Sequence, residues 1–77
     1  MQVGETWVKK TMEPDLDGSY TARRYMLILR RLRIDFEGDT IWLVEEWWEG
    51  GEKNPDIQHR QASYSMRNIL EYFEKVY

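Results

Sequence analysis

The stretch from Tyr25 to Trp48 limits this chain most, because it reads as one long β-hairpin folded at Glu37-Gly38-Asp39. Tyr25, Leu27 and Leu29, then Leu32, Ile34 and Phe36, keep a two-residue apolar period that slips by one step at Arg30-Arg31, while Ile41 to Val44 is apolar throughout. An extra residue in a strand turns every later side chain to the opposite face, so the slip predicts a bulge or a bend there. The alternative is an unbroken strand that buries Met26, Ile28, Leu32, Ile34 and Phe36 with Arg30 on the inner face. The bulge is preferred, because an inward guanidinium demands a partner to offset its desolvation. A bent strand also lets a short sheet curl, since its two halves then line different walls of one core. Two registers stay open. A three-residue loop over Glu37 to Asp39 sets Arg30 opposite Glu46 and Arg31 opposite Glu45, whereas a type I turn with Gly38 in the left-handed region shifts the pairing.

The flanks supply the other elements. Trp7 and Val8, in β-favouring company after Gly4, predict a first strand over Glu5 to Lys10. Glu13 to Ser19 collects turn formers, and Glu49 to Asp56 does so again with Gly50-Gly51 and Pro55. Ile57 to Tyr64 is a polar, weakly patterned strand. Ser65 has the position of an N-cap, because Met66, Ile69, Leu70 and Phe73 follow at helical spacing. That stripe is wide enough to pack on a sheet, with Tyr72 and Tyr77 off it. Lys75-Val76-Tyr77 can close as a short strand beside Trp7 and Val8. The expected fold is mainly β, at the margin of α+β: a small SH3-like barrel of about four or five antiparallel strands with a long bent hairpin and a short C-terminal helix. An antiparallel sheet with the helix packed across one face is the competitor.

Residues 1–77 are expected to form one domain, and a chain of this size buries only about 60 % of its unfolded surface. Without cysteine there is no disulfide and no thiolate metal site, which fits a reducing compartment. Four Trp, five Tyr and two Phe must therefore supply the core. The run from Tyr25 to Leu29 is far shorter than the roughly 20 residues a membrane span needs, and the N-terminus lacks the layout of a secretion signal. The expected location is cytoplasmic, with no membrane partner. A net charge of -3 does not recommend the whole surface to nucleic acid.

Function is sought in the charged and aromatic clusters. In an alternating strand Trp47 and Trp48 point to opposite faces, so only one can enter a single-sided core. Trp47 and Trp48 as anchors, with Glu45, Glu46, Glu49 and Glu52 as steering charges, form the candidate surface for a protein partner with a basic surface. The bland reading, in which the second indole is covered by the acidic loop or the helix, weighs equally. Arg23, Arg24, Arg30, Arg31 and Arg33, interleaved with Tyr25, form an alternative nucleic-acid stripe, against which nearby Asp35, Glu45 and Glu46 would neutralise charge. Self-association through the same rings as a homo-oligomer is a third reading. Asp15-Leu16-Asp17-Gly18 is turn chemistry, because its glycine comes too early for a calcium loop and no Glu follows at the required spacing. His59 is the only histidine, and Ser19, Ser63 and Ser65 lie in turn or cap contexts. No catalytic residue, metal site or cofactor is expected, and the chain is read as no enzyme.

Val3-Gly4-Glu5-Thr6-Trp7-Val8, Gly38-Asp39-Thr40-Ile41-Trp42-Leu43 and Ser65-Met66-Arg67-Asn68-Ile69-Leu70-Glu71-Tyr72-Phe73 together resemble the layout of small SH3-like proteins encoded by phages and mobile elements. The likeness covers most of the chain through scattered apolar and glycine positions and transfers no functional residue. A longer first loop and the Glu49 to Asp56 insertion depart from it. The resemblance implies a host protein as partner, such as a defence or transcription complex.

Overall fold

Alternation in the central hairpin is set by what lies across from each residue, and this decides which of its many apolar side chains are buried. A computed structural model describes residues 1–14, 21–49 and 56–76. Its strands are β1 (Thr6–Lys9), β2 (Glu13–Pro14), β3 (Thr21–Ala22), β4 (Tyr25–Ile34), β5 (Thr40–Trp48), β6 (Gln58–Ser65) and β7 (Phe73–Lys75), with one helix, α1 (Met66–Tyr72). Five of them form an antiparallel sheet in the order β6-β5-β4-β1-β7, and β2 pairs with β3 in a separate ribbon. The fold is mainly β, with the long hairpin and short C-terminal helix in the expected places.

Met26 pairs with Trp7 and Ile28 with Val44, and these face the core. Tyr25, Leu27 and Leu29, the period read from the sequence, lie half-buried on the other face, and the buried pair Met26 and Ile28 is the one named in the unbroken-strand alternative. Beyond Ile28 the slip takes the form of two register shifts, between Ile28 and Arg30 and between Arg31 and Arg33. They flank the Arg30-Arg31 pair and increase the local twist. Arg30 then faces Leu43 and Arg31 faces Trp42, so neither meets Glu45 or Glu46. The last pair is Ile34 with Thr40, and Gly38 has φ +85, the left-handed geometry of the second turn considered above. Phe36 lies beyond the last pair and is 98 % exposed.

Ser65 caps α1: its Oγ accepts from Asn68 N at 3.2 Å, with backbone at φ -70 and ψ 149. The Phe73 N–H donates to Ile69 O and closes the other end. Seven helical residues advance roughly 10 Å, whereas the opposite edges of a flat five-stranded sheet stand roughly 19 Å apart. Because α1 joins β6 directly to β7, the sheet has to curl until its edges approach, and the Tyr64 and Phe73 rings meet across them at 5.8 Å. The curl stops short of closure. β6 and β7 remain edges, so the five antiparallel strands of the expected small barrel form an open, curled sheet.

The core consists of Trp7, Met26, Ile28, Trp42, Val44, Ile69 and Phe73, drawn from β1, β4, β5, α1 and β7. The final strand pairs Phe73, Glu74 and Lys75 with Lys9, Val8 and Trp7, two residues earlier than expected, and Val76 N donates to Thr6 O at 2.8 Å. Glu5 reinforces this corner. It accepts from Gln2 N at 2.9 Å and meets Lys75 Nζ at 3.0 Å, and these contacts hold its carboxyl below the usual value. Among the described residues, no helix is long and apolar enough to cross a membrane.

Ile69 is the only fully buried residue of α1, whereas Leu70 is 54 % exposed. Ile69→Ala should therefore lower unfolding free energy by about 2–5 kcal/mol in urea titrations, and Leu70→Ala by no more than about 0.5 kcal/mol.

Candidate functional site

Side chains of β5 alternate between two faces that differ in chemistry. Trp42, Val44, Glu46 and Trp48 share the core face, and Ile41, Leu43, Glu45 and Trp47 share the outer one. Glu46 stands in a row with Trp7, Met26 and Arg60 and is 0 % exposed. A carboxylate at such a position is tolerated only when donors replace water. Its Oε1 accepts from Arg60 Nε at 3.0 Å, and its Oε2 from Tyr64 Oη at 2.7 Å and Arg24 Nη1 at 3.4 Å. The same guanidiniums flank Trp48, with the Arg24 Cζ 4.9 Å and the Arg60 Cζ 5.7 Å from its ring centroid. Each such contact contributes about 0.5–2 kcal/mol, depending on how far it is desolvated. Burial, then the bond to Glu46, pushes the Tyr64 hydroxyl above its usual 10.0, and Glu46 likewise raises Arg60.

Trp47 belongs to the opposite surface. It pairs directly with Tyr25, and the rings stack with centroids 5.8 Å apart at an interplanar angle of 12°. Across the sheet the row runs Val8, Tyr25, Trp47, His59, and beside it runs Thr6, Leu27, Glu45, Gln61. Leu43 adds a further apolar side chain between Arg30 and Ser63. His59 Nδ1 lies 3.4 Å from Glu45 Oε1. Tyr25, Leu27, Leu43 and Trp47 are all half-buried.

The five described residues of the expected acidic patch are thus not brought together. Trp47 and Glu45 lie on the outer face, Trp48 on the core face, Glu49 is exposed past the strand end, and Glu52 lies outside the described residues. Glu46 is corrected from a steering charge to an interior ion-pair acceptor, and the surroundings of Trp48 are basic instead of acidic. The arginine stripe is divided too. Arg23 meets Glu74 at 3.0 Å and donates from Nε to Lys9 O, while Arg24 belongs to the Glu46 cluster. Arg30, Arg31 and Arg33 are exposed, and among the described residues none makes an ion pair.

Two groupings escaped the sequence reading. The Glu46 cluster had one faint signal, the two-residue period Arg60, Ala62, Tyr64 that puts two donors on one face of β6. The other is the hairpin tip. Asp35 Oδ1 accepts from Glu37 N and Asp39 N, each at 2.9 Å, and Asp39 Oδ2 accepts from Arg67 N at 3.2 Å, so a braced turn displays Phe36. The Asp15 to Gly18 segment and Tyr77 lie outside the described residues, and among those described no group of three or more His, Cys, Asp or Glu could hold a metal. Comparison with family models, curated proteins and solved structures finds no match.

Glu46→Leu should lower unfolding free energy by about 3 kcal/mol, the low end for a broken buried pair, because Arg60, with its side chain 53 % exposed, can turn to water. Tyr64 also gives a pH signature. Its folded-state value is raised, so its stabilisation is complete below pH 10.0 and is lost as pH rises through that raised value. The stability gap between the native chain and Tyr64→Phe should accordingly narrow above pH 10.0 in denaturant titrations.

Proposed function

We propose that the chain is a small, non-enzymatic protein-binding module whose recognition surface is the outer face of the sheet around Trp47. The supporting observation is the Tyr25–Trp47 stack, half-buried on the face turned away from the helix-covered core and continuous with Leu27 and Leu43. Stacked rings fixed on two paired strands offer much contact area with little rotamer entropy left to lose, which is the make-up of an interface anchor. Glu45 beside Trp47 supplies an acidic edge for a basic group of the partner. A cytoplasmic setting, and a phage or mobile element acting on a host protein, are the context in which such a module would work.

A second reading rests on a separate observation. Arg30, Arg31 and Arg33 are exposed along the distal half of the hairpin, and Phe36 at its tip is free to stack. Cations on a ribbon ending in an exposed ring suit single-stranded nucleic acid.

Trp47→Ala should leave the circular dichroism spectrum unchanged and lower unfolding free energy by about 2 kcal/mol, since the stack itself contributes about 0.5–1.5 kcal/mol. It should also abolish recovery of the cross-linked partner that the native chain captures from host extract. Undiminished recovery would remove the outer face from consideration. For the second reading, a low-salt mobility shift with single-stranded oligonucleotides should appear and weaken in Arg30→Ala/Arg31→Ala, and the absence of any shift dismisses it.

A further inference from the structure

The two edges of the sheet are unequal. β7 is three residues long, whereas β6 is eight and stays in unbroken register with β5 from Gln58 opposite Trp48 to Ser65 opposite Ile41. Exposed edges are commonly blunted by brevity, proline, lysine or a bulge. β6, with the sequence QHRQASYS, has no proline, lysine or bulge and is not short, and its one inward charge, Arg60, is paired with Glu46. It is also held firm from below, because Arg60 and Tyr64 both reach the buried carboxylate of Glu46. Among the described residues nothing pairs with its outer side. A regular edge fixed in this way is a template for another strand.

We propose that β6 pairs antiparallel with β6 of a second copy, joining two sheets across a two-fold axis. The side chains of β6 favour its own copy as occupant. A two-fold axis normal to the sheet sets residues of the same face opposite each other. Centred on Ala62, it places Ala62 against Ala62, Gln61 against Ser63, Arg60 against Tyr64 and His59 against Ser65. No like charges meet, and the smallest side chain of the strand sits on the axis. Centring on Arg60 instead would oppose two guanidiniums, a destabilising pair. Arg60 itself brings little repulsion, since Glu46 lies on its Nε. The interface is isologous, as a closed dimer requires. It uses backbone bonds along an edge and does not depend on the outer-face reading. In the dimer the row Val8, Tyr25, Trp47, His59 would be repeated on the same side of one continuous sheet, so a partner would meet two copies.

Sedimentation across a wide concentration range, with hydrogen exchange followed on β6, tests this. The mass should rise to twice that of the chain, and the outward amides of β6 should gain protection as the dimer forms. Gln61→Lys combined with Ser63→Lys changes two exposed positions and sets like charges opposite each other across the axis. It should weaken dimerisation roughly tenfold while leaving the circular dichroism spectrum and unfolding midpoint of the dilute chain intact. The proposal is overturned by a monomer at every concentration. It is also overturned by a dimer that resists the double substitution but dissolves on Trp47→Ala, or by β6 protection that does not vary with concentration.

Discussion

The structure depends on giving one carboxylate a place without water. Glu46 lies between Met26 and Arg60 in a row that begins with Trp7, and it is acceptable there only because Arg24, Arg60 and Tyr64 arrive together. This requirement acts on register. β6 is polar and weakly patterned, so hydrophobic burial alone would specify its alignment poorly. A slip of one residue would turn Arg60 and Tyr64 to the outer face and leave the carboxylate buried without them. The ion cluster thus fixes the alignment of β6, and the alignment of β6 places Ser65, from which α1 starts its crossing of the core.

Much of the architecture was legible in the sequence because it was local. Ser65 followed by helical spacing marked the cap, and the slip in apolar period at Arg30-Arg31 announced the irregularity in β4, whereas the turn at Gly38 stayed open between two registers until the pairing chose one. The phase of β4 was not legible, because Tyr25 to Leu29 is apolar at every position and either alternation satisfies it. Trp7 and Val44, distant in sequence, choose Met26 and Ile28. Phe36 was misread for another reason: a period continues on paper past Ile34, where pairing ends.

The candidate site was legible only in part. Adjacent indoles on opposite faces follow from strand geometry alone, and that holds for Trp47 and Trp48. What surrounds each indole does not follow. The run Glu45-Glu46-Trp47-Trp48-Glu49 reads as one acidic surface until the sheet separates odd from even positions. Glu46 then goes inward to meet residues of β6 and of the segment before β4, partners that no local window contains. One end of β5 consequently bears two unlike environments: a stacked Tyr–Trp pair with a carboxylate beside it, and an indole held between two guanidiniums.

The position of β1 has a consequence for the order of folding. β1 lies between β4 and β7, so Trp7 needs Met26 on one side and Lys75 on the other. The β4–β5–β6 meander is joined by neighbouring segments and can pair early in folding, whereas Ile69 and Phe73, which cover its inner face, dock only when α1 crosses it and β7 reaches β1. Until they dock, Met26, Ile28 and Val44 lack their cover. It is then, before the helix arrives, that the polypeptide is most exposed to aggregation and to chaperones.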